Sequence, residues 1–208
     1  MMRAFDILTA IALLVPLALF FIVIAFLIML DDGRPVFFRQ KRVGRNGRPF
    51  EILKFRTMRT ASQGCAITAA GDSRVTKAGA WMRKLKVDEL PQLFNVLKGD
   101  MSFIGPRPEV PEFVELDDAV WQAVLAVRPG ITDLASLLYR NEEEILSPAP
   151  DPAAFYRAAV LPAKLRLNLL YLETRSWRRD LRLLWLTVRF SFFPRGFDSN
   201  RVARSFGV

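Results

Sequence analysis

From Phe5 to Leu30 the chain is almost wholly apolar, interrupted by Asp6 near its start and Pro16 near its middle. As a straight helix this run would measure about 39 Å, enough for a bilayer core of about 30 Å. Pro16 argues against the straight form, because an interior proline removes a backbone hydrogen bond and kinks the helix. Each arm beside it is then roughly 15–21 Å long, too short to cross alone. The expected form is therefore a helix-break-helix that dips into one leaflet and returns. Arg3 and Asp6 lie at one end of the run, and Arg34, Arg39, Lys41 and Arg42 lie just beyond the other. A re-entrant path keeps all of them on one side, in keeping with the positive-inside tendency, whereas a straight span would carry Arg3 across. No small-residue cleavage site precedes Asp31-Asp32, which argues against a signal peptide. The chain divides into a membrane hairpin over residues 1–33 and one compact domain over residues 34–208.

A formal charge of +9 raises the question of nucleic acid. The distribution of charge answers it. Residues 34–59 carry nine bases and one acid, residues 109–151 ten acids and two arginines, and the stretch from Lys164 to Arg204 is basic again. That last stretch interleaves its bases with Trp177, Leu181, Leu184, Trp185, Phe190, Phe192 and Phe193. Bases beside large apolar side chains, close to a hydrophobic hairpin, suit an anionic lipid surface better than a phosphodiester backbone. Histidine is absent and Cys65 is the single cysteine. An intramolecular disulfide, a zinc cluster, Ser-His or Cys-His catalysis and a histidine base are thereby excluded. A metal here would take oxygen ligands, which points to Mg²⁺ or Mn²⁺.

Past the hairpin, Val36-Phe37-Phe38 and Phe50 to Phe55 read as strands around a Gly44-Arg45-Asn46-Gly47 turn, hence a β-hairpin. Ala61 to Asp72 is a small-residue loop with the character of a flap. Ala78 to Lys86 and Glu112 to Ala126 read as helices, the second ended by Arg128-Pro129-Gly130. Ala153 to Phe193 reads as mostly helical. The fold class is α+β and rich in helix.

The densest chemistry lies between Val87 and Glu109. Asp88 and Glu89 precede Leu90, Leu93, Phe94 and Leu97, the apolar stripe of a helix. Pro91 is tolerated in the first turn, so Asp88 sits at or near a helix N-terminus, where N–H groups and the dipole keep a carboxylate ionised beside a phosphate site. Neighbours on a helix point about 100° apart, so the two acids divide labour rather than share a proton. The block closes in Gly105-Pro106-Arg107-Pro108, a stiff loop that presents a guanidinium at low entropic cost.

Across this block the chain resembles the bacterial sugar transferases known as monotopic phosphoglycosyl transferases. Lys54-Phe55-Arg56-Thr57-Met58 resembles the family's basic strand. Arg74 to Gly79 with Arg83 resembles its approach to the acidic pair, and Arg128-Pro129-Gly130-Ile131-Thr132 its later substrate loop. The matches run in family order from about Arg3 to Arg140. The resemblance implies a small cytoplasmic, membrane-associated catalytic domain carrying a short β-hairpin and interfacial amphipathic helices, at the cytoplasmic face of a bacterial inner membrane. It implies a reaction in which a UDP-sugar gives its phosphosugar to a polyprenyl phosphate such as undecaprenyl phosphate, releasing UMP. Asp88 matches the nucleophile that forms an aspartyl-phosphosugar. Glu89 matches its companion and is expected, with Asp88, to hold Mg²⁺. Lys54, Arg56, Arg83, Arg107 and Arg128 match positions that clamp phosphates.

Three departures stand out. Val15-Pro16 replaces a frequent Ser-Pro. Lys86-Val87 precedes the acids where Ser-Leu is frequent, adding a cation near Asp88. Asp133-Leu134-Ala135-Ser136 follows Gly-Ile-Thr where many members have Gly-Trp-Ala-Gln, which makes this loop a candidate for nucleotide or sugar contact. The expected partners are a UDP-sugar, a polyprenyl phosphate and membrane lipids, without nucleic acid; a homodimer is left open. The rival class is a non-catalytic membrane scaffold of a glycan-assembly complex. Buried like charges at Asp88-Glu89 would serve no purpose there.

Overall fold

The apolar run and the charges at its ends decide how the molecule is assembled. The computed structural model describes residues 2–59 and 72–208, so the flap-like loop and Cys65 lie outside the described residues. The apolar run forms α1 (Met2–Asp32), a single helix with Pro16 inside it. The expected break is thus corrected to an unbroken helix. Pro16 removes one backbone donor, and the rungs on either side of it keep the helix continuous. Among the described residues α1 is the one helix long and apolar enough to cross a membrane.

One face of α1 lies against the rest of the chain along its whole length. At its start the Arg3 guanidinium donates to the carbonyls of Val96 and Leu97, at 2.5 and 2.7 Å. The buried Asp6 accepts from Ser102 Oγ and the Phe103 amide at 3.0 and 3.3 Å. Ala10 enters the main core, Phe21 meets Phe55 and Phe94, and Ile24 and Ile28 are buried. At its far end Asp31 accepts from the Ala78 amide and Asp32 pairs with Arg56. The opposite face leaves Leu8, Val15, Leu19, Ile22, Phe26 and Leu30 exposed.

The expected hairpin is present: β1 (Phe37–Val43) pairs antiparallel with β2 (Pro49–Phe55), from Phe37 opposite Phe55 to Val43 opposite Pro49. Asn46 and Gly47 turn the chain at positive φ, where glycine and asparagine are least strained. Next come α2 (Lys77–Lys84) and α3 (Gln92–Lys98). Asn95 hooks α3 to β2, its amide bonding the Leu53 N–H and the Glu51 carbonyl. A short parallel ladder joins β3 (Ser102–Ile104) to β4 (Gly130–Thr132). The helix expected from Glu112 starts later, as α4 (Ala119–Leu125), because Asp118 caps it by accepting from the Trp121 amide.

After β4 come α5 (Leu134–Leu138), α6 (Glu142–Leu146) and α7 (Pro152–Phe155), then a π-helical turn over Tyr156–Val160. The chain ends in α8 (Leu161–Glu173), α9 (Trp177–Phe192) and α10 (Ser199–Ser205). α9 is amphipathic as expected: it buries Leu183, Leu186 and Phe190, and exposes Trp177, Leu181, Trp185, Val188 and Phe192. Two small two-stranded sheets among many helices make the fold α+β and helix-rich.

Candidate active site

Local backbone chemistry aims the acidic pair. Thr76 caps α2 by accepting from the Gly79 amide at 3.0 Å. At Gly79 a Cβ would lie 2.1 Å from the Thr57 carbonyl oxygen, so α2 is pressed directly onto the chain that leaves β2. Beyond α2, Lys86 adopts a left-handed conformation (φ 58°) and opens a 3-10 turn over Val87–Glu89. Pro91 follows at the N-cap of α3, where its missing N–H costs nothing. In so tight a turn, consecutive side chains diverge. Asp88 and Glu89 therefore meet different surroundings.

Glu89 is held by cations. The Arg107 guanidinium grips it with two donors, Nη1 at 3.1 Å from Oε2 and Nη2 closer still on Oε1. Lys54 Nζ stands 3.5 Å from the same Oε1. Burial pushes the Glu89 carboxyl up, but Arg107 and Lys54 overcome it and hold Glu89 well below the usual carboxylate range. Glu89 in turn raises Arg107, and burial lowers Lys54.

Asp88 is the contrast. It is 7% exposed, and its Oδ1 has no hydrogen-bond partner among the described residues. Burial, then the charge of Glu89, pushes its carboxyl up, against the opposing pull of Lys54, Lys86 and Arg83. The helix N-terminus expected to keep it ionised makes no bond to it, since Asp88 lies inside the turn that precedes α3.

The loop that presents Arg107 is fixed from three sides. Gly105 N–H donates to the Thr132 carbonyl, and Gly130 N–H to that of Pro106. A Cβ at Gly130 would fall 2.2 Å from the Gly105 nitrogen, so only glycine permits this approach. The Arg107 amide donates to Asp133 Oδ2 at 2.7 Å, while Asp133 Oδ1 caps α5 at the Ser136 amide. On the third side Arg42 Nη1 donates to the Pro108 carbonyl at 3.0 Å.

Of the seven residues expected from sequence, Asp88, Glu89, Lys54, Arg107 and Arg83 are brought together. Arg83 Nη2 is engaged by Glu143 of α6 at 2.6 Å, and its buried Nη1 has no bond among the described residues. Arg56 is placed elsewhere: it bonds the carbonyls of Asp32 and Gly33 and pairs with the Asp32 carboxylate, fastening the end of α1. Arg128 Nε donates to the Gly99 carbonyl at the C-terminal end of α3, away from the pair. Two residues escape a sequence reading, and a third, Asp133, is expected there only as part of a loop for nucleotide or sugar contact. Arg42 passes for one more base on a basic strand. Asp133 carries the signal of an N-cap ahead of an apolar run. Gln92 is fully buried with both amide atoms unbonded among the described residues, and its only signal is its place four residues after Asp88.

Among the described residues no three metal-ligating side chains converge. Magnesium asks less of a protein when phosphates complete its shell, and one or two carboxylates suffice. The unpartnered Asp88 oxygen fits that requirement. Glu89 fits it only by exchange, because Arg107 and Lys54 occupy its oxygens.

The sequence model of the family described as "Bacterial sugar transferase" matches residues 1–194. The chain is 37% identical over 187 residues to the uncharacterized sugar transferase EpsL of Bacillus subtilis, covering 90% of this chain and 85% of that protein. It is 35% identical over 192 residues to a UDP-glucose:undecaprenyl-phosphate glucose-1-phosphate transferase of Caulobacter vibrioides, covering 89% of this chain and 67% of the other. A UDP-N-acetylgalactosamine-undecaprenyl-phosphate N-acetylgalactosaminephosphotransferase of Aeromonas hydrophila is 44% identical over 142 residues, covering 66% of this chain and 34% of that protein.

Proposed function

The chain belongs to the bacterial sugar transferase family, and on that premise we propose that it is a membrane-bound phosphoglycosyl transferase. It moves a phosphosugar from a UDP-sugar to undecaprenyl phosphate, releases UMP, and so begins a lipid-linked glycan such as an exopolysaccharide. The observation that carries this reading is the divided acidic pair: a buried Asp88 with an unpartnered oxygen, beside a Glu89 locked by Arg107 and Lys54.

In the reaction an Asp88 oxygen attacks the sugar-linked phosphorus. The bond from that phosphorus to the bridging oxygen breaks, and UMP departs with the electron pair, leaving an aspartyl-phosphosugar. A phosphate oxygen of the polyprenyl phosphate then attacks the same phosphorus and returns the carboxylate. An ionised Asp88 needs no general base, consistent with a chain that has no histidine. Lys54, Lys86 and Arg83 favour the ionised form of Asp88 and supply positive charge where the diphosphate must lie. Arg107 and Lys54 pair with Glu89, so that the like charge beside the nucleophile is partly offset. Mg²⁺ or Mn²⁺, when bound, would be held by Asp88, and by Glu89 once Arg107 yields it, and would neutralise charge on the diphosphate.

The ends of α1 support a membrane path with both on one side. Arg3 and Asp6 are tied to α3 and β3, and Asp31 and Asp32 to α2 and Arg56, all on one domain. Two ends resting on one domain favour a path that keeps both on one side of the bilayer, which the proposed reaction puts at the cytoplasmic face of the inner membrane. The exposed apolar faces of α1 and α9 then contact lipid.

The test is UMP release by the detergent-purified protein with Mg²⁺, undecaprenyl phosphate and a panel of UDP-sugars. The related enzymes name different sugars, so the panel includes glucose and N-acetylgalactosamine donors. Release with one donor, abolished by Asp88→Asn and by chelation, is the expected result. Silence from folded protein across the panel would favour the scaffold.

A further inference from the structure

Behind the Arg107 loop lies a second buried cluster of charged groups, which takes no part in the steps above. Lys164 on α8 is 5% exposed. Its Nζ donates to Glu142 Oε2 at 2.9 Å and to Tyr156 Oη at 3.2 Å, and stands 3.7 Å from Glu109 Oε1. Tyr156 Oη donates to that same Glu109 oxygen at 2.6 Å, and Arg42 lies 3.9 Å from the other. Residues eight apart on an α-helix are offset by about 80°. The extra residue accommodated by the π-helical turn at Tyr156–Val160 brings Tyr156 and Lys164 into line on Glu109. Burying an ammonium is costly unless it is paired and hydrogen-bonded. Here two carboxylates and a phenol surround it.

Both carboxylates lead to the acidic pair. Glu109 lies two residues beyond Arg107, whose guanidinium grips Glu89, and its carbonyl is held by the Val43 amide at 2.9 Å. Glu142 adjoins Glu143, whose carboxylate grips Arg83. We propose that Lys164 is a positioning residue for the transferase: through Glu109 and Glu142 it holds the Arg107 loop and α6 in one register, and so sets the guanidinium that holds Glu89 and the one, Arg83, that receives the donor's diphosphate. The run Glu142-Glu143-Glu144, which charge pattern alone reads as solvated, thereby acquires a task. Glu142 anchors α6, and Glu143 keeps Arg83 extended until phosphate replaces it. The proposal rests on the transferase reading and specifies how its phosphate site is built.

The experiment is a double-mutant cycle on the full-length protein in detergent, with the UDP-sugar that supports UMP release in the wild type. Lys164→Met keeps side-chain length and removes the charge; Glu142→Gln is the milder variant should Lys164→Met fail to fold. Each folded variant is expected to raise the donor KM about tenfold with kcat little changed, as loosened phosphate contacts do. In an Arg83→Met background Glu142→Gln should raise KM less than about twofold, because the guanidinium that α6 positions is gone, while Lys164→Met keeps the part of its effect that runs through Glu109 and Arg107. A purely structural role would multiply the losses of Glu142→Gln and Arg83→Met. Unchanged KM in folded Lys164→Met or Glu142→Gln, or losses that multiply, would overturn the positioning role while leaving the transferase reading intact. A wild-type protein silent with every donor would overturn both.

Discussion

Replacing Asp88 by Asn separates the chemistry of the nucleophile from its cost to the fold. Asp88 is 7% exposed with one oxygen unbonded among the described residues, and burial, then Glu89, pushes its carboxyl up. A carboxyl raised in the folded state stabilises that state while protonated. The contribution is complete below the ordinary aspartate value of about 3.9 and is lost as pH rises through the raised value. At pH 7 the ionised side chain is therefore a net burden, which Lys54, Lys86 and Arg83 lessen without cancelling. The amide leaves the same polar position unbonded but removes the buried charge, whose desolvation is the burden. With three cations opposing, Asp88→Asn should gain about 1 kcal/mol, or roughly 2–4 °C in Tm for a chain of this size. The same change should cut UMP release by about 10³-fold or more, the scale on which a covalent nucleophile is missed. Thermal unfolding in detergent with chelator present, at pH 7 and pH 4, reads the first effect. The gain in Tm should shrink toward the lower pH. A variant less stable than wild type at pH 7, or a gain indifferent to pH, would mean that Asp88 is partnered and the reasoning wrong. Near-normal turnover would remove it as the nucleophile.

Glu89→Gln should act in the opposite sense. Glu89 is held well below the usual range, so its contribution is present above the ordinary value of about 4.3 and lost as pH falls through the depressed one. Breaking so buried a pair should cost about 3 kcal/mol at pH 7, with the gap to wild type closing only in strong acid; chemical denaturation over a pH series measures it. Gly130→Ala drives a Cβ to 2.2 Å from the Gly105 nitrogen, and should cost roughly 2–3 kcal/mol and loosen the Arg107 loop. Its denaturation midpoint and its donor KM should worsen together, and an unchanged midpoint would contradict the close approach. Cysteine at position 2, in a Cys65→Ser background, should label from the cytoplasmic side of sealed inverted vesicles; labelling only from the periplasmic side would refute the path proposed for α1.

What the sequence made legible tracks how local the responsible physics is. The apolar run, the β1–β2 hairpin and α3 with Pro91 at its start all rest on periodicity and turn chemistry within a few residues. At Pro16 the loss of one backbone donor does not end the helix, because α1 runs on through it. The β3–β4 ladder was not legible, because its short strands, Ser102–Ile104 and Gly130–Thr132, pair far apart in sequence and depend on two glycines touching. The π-helical turn likewise has no pattern of its own in Tyr156 to Val160.

The site divides along the same line. Asp88 and Glu89 stood out as adjacent acids, and Arg107 as a guanidinium between prolines, but their relation is tertiary: Glu89 is committed to Arg107 and Lys54, and Asp88 is left uncommitted. Arg56 and Arg128 show the converse. Each sits in a motif that reads as phosphate-binding, yet each is engaged by backbone carbonyls, of Asp32 and Gly33 for one and of Gly99 for the other. Five donors on a rigid fork serve a carbonyl cluster as readily as a phosphate, so an arginine's type and spacing leave its target open. The divided pair carries more weight than the arginine count for this reason. A buried carboxylate with one oxygen unbonded among the described residues is costly to keep, and its place beside a cation-paired neighbour and three cations is what an attack on phosphorus requires.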